Sequence, residues 1–176
     1  YSRLSDGIKS ESLNSTLAES RFSFFNAQYQ MLLSQGKTTE ERKKILADII
    51  VSASTQGVKE ARREVIFLKV PGERTTAVTY EMSSSSIQPS SVPASLRKKV
   101  QKSPELQYEY GRAKYTKSAD GESLFVGERI NVPSGGRYEM YIVFSLKTQN
   151  ATLTLIRNSL LFTGLALLLL IAMVTF

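Results

Sequence analysis

The side chains of this sequence that could do chemistry are carboxylates, amines, guanidiniums, hydroxyls and phenols, because it has no histidine and no cysteine. Without histidine there is no phospho-acceptor imidazole, no Ser-His-Asp triad and no imidazole metal ligand in this chain. Without cysteine there is no thiolate nucleophile, no thiolate metal site and no disulfide. No phosphate loop of the form Gly-x-x-x-x-Gly-Lys-Ser/Thr occurs, and no Gly-x-Gly-x-x-Gly follows a strand pattern. Glu40-Glu41 is a carboxylate pair, but it lies at a predicted helix start, where it interacts favourably with the helix dipole. We therefore expect no catalytic, cofactor-binding or metal-binding residue in these 176 residues.

Two sets of residues could recognise a ligand or partner. Arg97, Lys98, Lys99 and Lys102 make one short helical segment basic, and Arg112, Lys114 and Lys117 add positive charge further on. They fit docking on an anionic ligand, polymer or membrane face, but an ordinary solvated helix face is the favoured reading. Tyr80, Tyr108, Tyr110 and Tyr138 fall on predicted strands. They could line a pocket on the sheet or serve as core and cross-strand pairs. The net charge of +7 comes from scattered residues, so nucleic acid is a weak reading, with anionic envelope polymers or lipid head groups as alternatives.

The elements that must position these residues follow from hydropathy periods. Residues 1–35 read as one long helix, with Leu4, Ile8, Ala18, Phe22, Phe25, Tyr29 and Leu32 at three-and-four spacing as its inward stripe and Lys9, Ser10, Glu19 and Ser20 on the other side. Gly36 ends it. Thr38 and Glu41 match a capping box that opens a second helix over 38–56, whose stripe is Ile45, Ile49 and Ala53. Strands are predicted over 64–70 and 75–80, as a hairpin through Pro71-Gly72, and over 105–115, 124–132 and 138–146. The Ser-rich stretch Ser83–Ser91 reads as a flexible connector. Pro93 starts a short helix over 93–102 with Leu96 and Val100 inward. The expected fold class is mixed α/β, with a sheet of about five antiparallel strands and helices packed on it. By element order it is a PAS-like domain of the PDC or Cache type.

Asn158 to Phe176 carries no charge and spans roughly 28 Å as a helix, about a bilayer's hydrocarbon thickness. It predicts a transmembrane helix with Leu160, Leu165, Leu168 and Ile171 in the apolar layer. Asn150 caps a juxtamembrane helix over 150–157 that leads into it through Arg157. The domain would then be 1–149. The absence of a basic cluster after the span, and the uncapped start of the first helix, predict a longer parent protein on both sides.

The stretch Met140-Tyr141-Ile142-Val143-Phe144-Ser145-Leu146, followed by Gln149-Asn150-Ala151-Thr152-Leu153-Thr154-Leu155-Ile156-Arg157, resembles the MtrB sensor histidine kinases of actinobacteria. There an apolar strand ending Phe-Pro-Leu precedes a Thr-Leu-x-Leu-Val-Arg run into the second membrane helix. Ser145 stands here in place of the proline and Ile156 in place of the valine. Val92-Pro93-Ala94-Ser95-Leu96-Arg97 is similar to the family's Val-Pro-x-x-Leu-Arg, and Leu4, Ile8 and Lys9 are similar to its helix leaving the first span. The resemblance implies a homodimeric, multi-pass membrane protein with residues 1–157 outside the cytoplasm. It implies a cytoplasmic kinase beyond Phe176 that uses ATP and Mg, the response regulator MtrA as phosphoryl acceptor, and the envelope lipoprotein LpqB as partner. The signal would concern the cell wall, division or osmotic stress. The competing expectations are a non-sensing module that binds an envelope lipoprotein or wall component, and the receptor part of a chemoreceptor or cyclase.

Overall fold

A computed structural model describes residues 2–55, 63–72, 82–84, 86–132, 136–146 and 163. The strand expected at 75–80 with Tyr80, the junction from Asn150 to Arg157, and the apolar positions Leu160, Leu165, Leu168 and Ile171 lie outside them. Among the described residues no helix is long and apolar enough to cross a membrane.

The long first helix is α1, Ser2–Leu33. Gly36 follows it at φ 80°, a left-handed conformation that glycine takes without Cβ strain. The expected capping box forms at the start of α2, Thr39–Thr55: the Thr38 backbone N–H donates to Glu41 Oε2 at 2.8 Å and the Glu41 N–H donates to Thr38 Oγ1 at 3.3 Å. These bonds hold the exposed Glu41 carboxyl below its ordinary pKa. The tight connection is pinned by the buried Arg42, whose Nε donates to the Ser34 carbonyl at 3.3 Å.

The sheet has five antiparallel strands: β1 Arg63–Lys69, β2 Met82–Ser83, β3 Gln107–Ala113, β4 Gly121–Val132 and β5 Gly136–Ser145, in the order β2-β1-β5-β4-β3. The central strand is β5, with β1 beside it. β1 is nonetheless buried on both faces, as its continuous apolar sequence requires. β1 pairs along its length with β5 and, at Ile66 and Phe67, with β2. The β4–β5 connection reaches Gly136 at φ 88°.

The two sheet faces carry different helices. α1 packs mainly on β4 and α2 on β1, over Val65, Phe67, Leu124, Val126, Ile130, Tyr138, Met140 and Ile142. On the opposite face α3, Ala94–Lys102, lies over β3, β4 and β5. There Leu96 and Val100, as expected, join Ile66, Leu68, Phe125, Tyr141 and Val143 in one apolar cluster.

The sequence reading of α1 is corrected. Its buried side is Ser20, Ser23, Phe24, Ala27, Met31 and Ser34, while Phe22, Phe25, Tyr29 and Leu32 are exposed by 64%, 71%, 54% and 51%. Phe24 and Met31 supply most of the bulk on this side, with small residues between them. Ser20 and Ser23 cost little there because their hydroxyls donate to the carbonyls of Thr16 and Glu19 one turn back. The Ser-rich stretch is also more than a connector. Ser84 exchanges bonds with Val65, Ser86 Oγ donates to Glu64 at 2.7 Å, and Ser91 Oγ accepts from the Lys114 N–H at 2.8 Å. Its serines stand in for ladder partners and tie β1 to the end of β3.

Candidate functional site

A polar cluster lies between α3 and the sheet. Glu139 of β5 is fully buried. It opposes Leu68 on β1 and Arg129 on β4, and therefore points to the α3 side. Arg97 sits on the first turn of α3 and meets it with two bonds, Nε to Oε2 at 2.8 Å and Nη2 to Oε1 at 3.2 Å. One turn on, Gln101 Nε2 donates to Oε1 at 2.6 Å. Tyr141, two residues along the strand and so on the same face, donates its hydroxyl to Oε2 at 2.8 Å. Arg129 adds a bond from Nη1 to the Gln101 carbonyl at 3.2 Å. The carboxylate is thus saturated by four donors from three side chains, as a buried charge requires.

The electrostatics follow from this closure. Hydrogen bonding to Glu139 raises the Arg97 pKa against the opposing effect of burial. Tyr141 is pushed well above the ordinary phenol range, first by burial and then by the neighbouring carboxylate, so it remains a neutral donor. Its ring also explains Gly127. A Cβ there would stand 2.5 Å from the Tyr141 ring and 2.9 Å from Val100. The missing side chain gives the ring its seat, and the ring places the hydroxyl on Glu139.

This arrangement separates the basic residues that the sequence grouped. Arg97 turns inward to Glu139, and Lys99 pairs with Glu109 of β3 at 3.3 Å. Lys98 and Lys102 face solvent. Bonds from Ser95 and Lys99 lower the pKa of Glu109. The tyrosines separate too. Tyr138 is buried on the α1 side, whereas Tyr108 and Tyr110 are 42% and 54% exposed on the edge strand β3. Tyr108 pairs across β4 to Ile142, four residues along β5 from Tyr138, which is about 13 Å at strand rise. They share a sheet face, as their alternation implied, but line no common pocket with Tyr138.

Sequence reasoning missed Glu139. Its one signal is a lone carboxylate inside the run from Tyr138 to Phe144, otherwise apolar or aromatic, a position that demands a buried partner. Among the described residues no group of three or more acidic side chains could hold a metal ion. No family model matches this chain, and no curated protein shows significant similarity to it. The residues that carry the resemblance to the MtrB kinases within the described part are chiefly core positions: Val92, Leu96 and Met140 to Phe144 are buried, and Arg97 holds Glu139.

Proposed function

We propose that residues 1–149 form an extracytoplasmic PAS-like sensor domain of a membrane-bound signalling protein, an MtrB-like histidine kinase. It would pass an envelope, osmotic or division signal through residues 150–176 to a cytoplasmic kinase that phosphorylates MtrA. The observation that supports this best is the direction in which α1 crosses the sheet. Glu19 of α1 is ion-paired with Arg63, which stands in register with Phe144, one residue before β5 ends. Further along the helix, Gln28 exchanges two 2.8 Å bonds with the backbone of Asn131, near where β5 begins. α1 therefore runs antiparallel to β5, and its N-terminal half lies towards the pole from which β5 leaves. α2, with 17 residues against 32, is long enough to flank only about half of α1. A helix entering and a strand leaving at one pole suit a domain held on two membrane helices, and displacement of the outgoing segment would bias a two-state output.

The test is a set of two- to four-glycine insertions beside Arg157 in the full-length protein. The expected outcome is loss of the response of MtrA phosphorylation to osmotic upshift at unchanged membrane level. A preserved response overturns the lever.

A second reading, a module that recognises a partner rather than a small molecule, is favoured by the α3 side of the sheet. The space there is occupied by the chain's own apolar cluster and by Arg97 and Glu139. A lipoprotein such as LpqB would then be read by surface contact. A thermal-shift series distinguishes the two, because whichever species binds the folded domain raises its Tm by linkage.

A further inference from the structure

β3 is an edge of the sheet, and the chain closes only one end of its outer side. Successive residues of a strand turn their N–H and C=O groups to opposite neighbours. The ends of β3 and of the Ser-rich stretch fix which residues turn outward. The Gln88 N–H donates to the Lys114 carbonyl and the Thr116 N–H to the Ser86 carbonyl, both at 3.0 Å and both away from β4. The Lys114 N–H goes out to Ser91 Oγ. The Tyr115 N–H turns the other way, to Asp120 Oδ1 at 3.4 Å, just before β4 begins. Counting back by twos, Arg112, Tyr110 and Tyr108 turn their backbone groups outward. Among the described residues no group answers them.

The same three residues share a sheet face, with Tyr110 across from Leu124 and Tyr108 across from Val126. On that face α1 packs mainly on β4 and α2 on β1, so the side chains of Tyr108, Tyr110 and Arg112 stay exposed. Behind the strand, Glu109 accepts from Ser95 and Lys99 of α3, which holds the edge in place. The opposite edge, β2, spans two residues, a length that offers little to pair with. β3 spans seven and contains neither proline nor lysine, the residues that commonly guard an edge.

Outward backbone groups repeating every second residue, about 6.8 Å apart, fit another extended chain. The molecule shows that fit itself, since Ile87 bridges Tyr115 antiparallel on this same edge. A guest strand that continues the direction of Ser86–Gln88 would also run antiparallel to β3. The side chains along the edge then set its composition. Arg112 and Lys114 are both exposed at one end and call for carboxylates, although Glu122, across from Arg112, offsets one charge. Tyr110 and Tyr108 at the other end call for β-branched or aromatic neighbours.

We propose that the outer edge of β3 accepts an extended acidic segment of a partner protein by strand addition. Its carboxylates would lie at Arg112 and Lys114 and its apolar residues on Tyr110 and Tyr108. The site rests on the β3 edge alone, not on the membrane-signalling reading.

The probe is a fluorescent peptide, Glu-Glu-Thr-Val-Thr-Val-Thr, added to the full chain in detergent and followed by anisotropy. Its second glutamate would face Arg112 and its two valines Tyr110 and Tyr108. Saturable binding is expected below about 1 mM. N-methylation of both valines removes the N–H groups aimed at β3 and should abolish binding. N-methylation of the two threonines flanking the second valine should not, because those groups point away. Arg112→Glu should weaken binding about tenfold, and a peptide with lysines for the glutamates should bind that variant and not the parent. Tyr110→Pro should abolish binding with an unchanged circular dichroism spectrum, since the lost N–H is not in the ladder with β4. No saturation, equal binding of the two methylated peptides, or equal binding of the glutamate and lysine peptides to the parent overturns the proposal. A dimeric parent that Tyr110→Pro makes monomeric puts a second copy on the edge and overturns it too. If the peptide binds in the expected pattern while the glycine insertions leave signalling intact, the edge site stands and the lever falls.

Discussion

Two carboxylates on opposite faces of the sheet differ in how their charge is answered. On the α3 face, Glu139 is fully buried and fully answered by Arg97, Gln101 and Tyr141. On the α1 face, Glu128 sits two residues before Ile130 under the helix, and burial raises its pKa, only partly opposed by the charge of Arg21. A buried carboxylate with donors locks a helix in place. One with fewer donors keeps a desolvation penalty on its charged form.

The largest test of that contrast is Arg97→Met. It leaves Glu139 buried without its cation and should destabilise the domain by about 3 kcal/mol, read as a lower urea midpoint at unchanged slope. Combining it with Glu139→Gln should recover more than half of the loss, because the two residues act as one unit. If the double variant is as unstable as the sum of the two single ones, the pair is not coupled. Gly127→Ala should cost about 1–3 kcal/mol by driving its methyl into the Tyr141 ring and Val100. Cutting back the ring in Tyr141→Ala should remove most of that added penalty.

The smallest effect comes from the other face. Because the folded-state pKa of Glu128 is raised, the folded protein binds its proton more tightly than the unfolded chain does. The resulting penalty is fully present at neutral pH and disappears as pH falls below the unfolded pKa, about pH 4. Glu128→Gln should therefore raise Tm at pH 7 by about 1–2 °C, a sub-kilocalorie effect for a half-exposed group. The advantage should vanish near pH 4. An equal gain at both values would show that the charge is not its source.

Local order was written plainly in the sequence. Gly36 and the Thr38–Glu41 box end one helix and start the next, because both depend on residues within four positions of each other. The strands at 63–69, 107–113, 121–132 and 136–145 lie where alternation and β-branched runs placed them, within three residues. Leu96 and Val100 point inward as their spacing required.

Partnership was not legible in the same way. Arg97 and Lys99 look alike in sequence, yet their carboxylate partners lie 42 and 10 residues away. The stripes on α1 show the reason best. Both repeat in threes and fours, so periodicity fixes that α1 is a helix with two distinct sides, and apolar content then favours the aromatic side for the core. Only the sheet decides otherwise: Ser20, Ser23, Phe24, Ala27 and Met31 turn to it, and Phe22, Phe25, Tyr29 and Leu32 stay exposed. What the sequence by itself determined is where helices and strands begin and end, since those choices are made over a few neighbouring residues. What the tertiary structure alone decided is which side of α1 is inside and which carboxylate answers which guanidinium, since those depend on contacts that chain neighbours cannot specify.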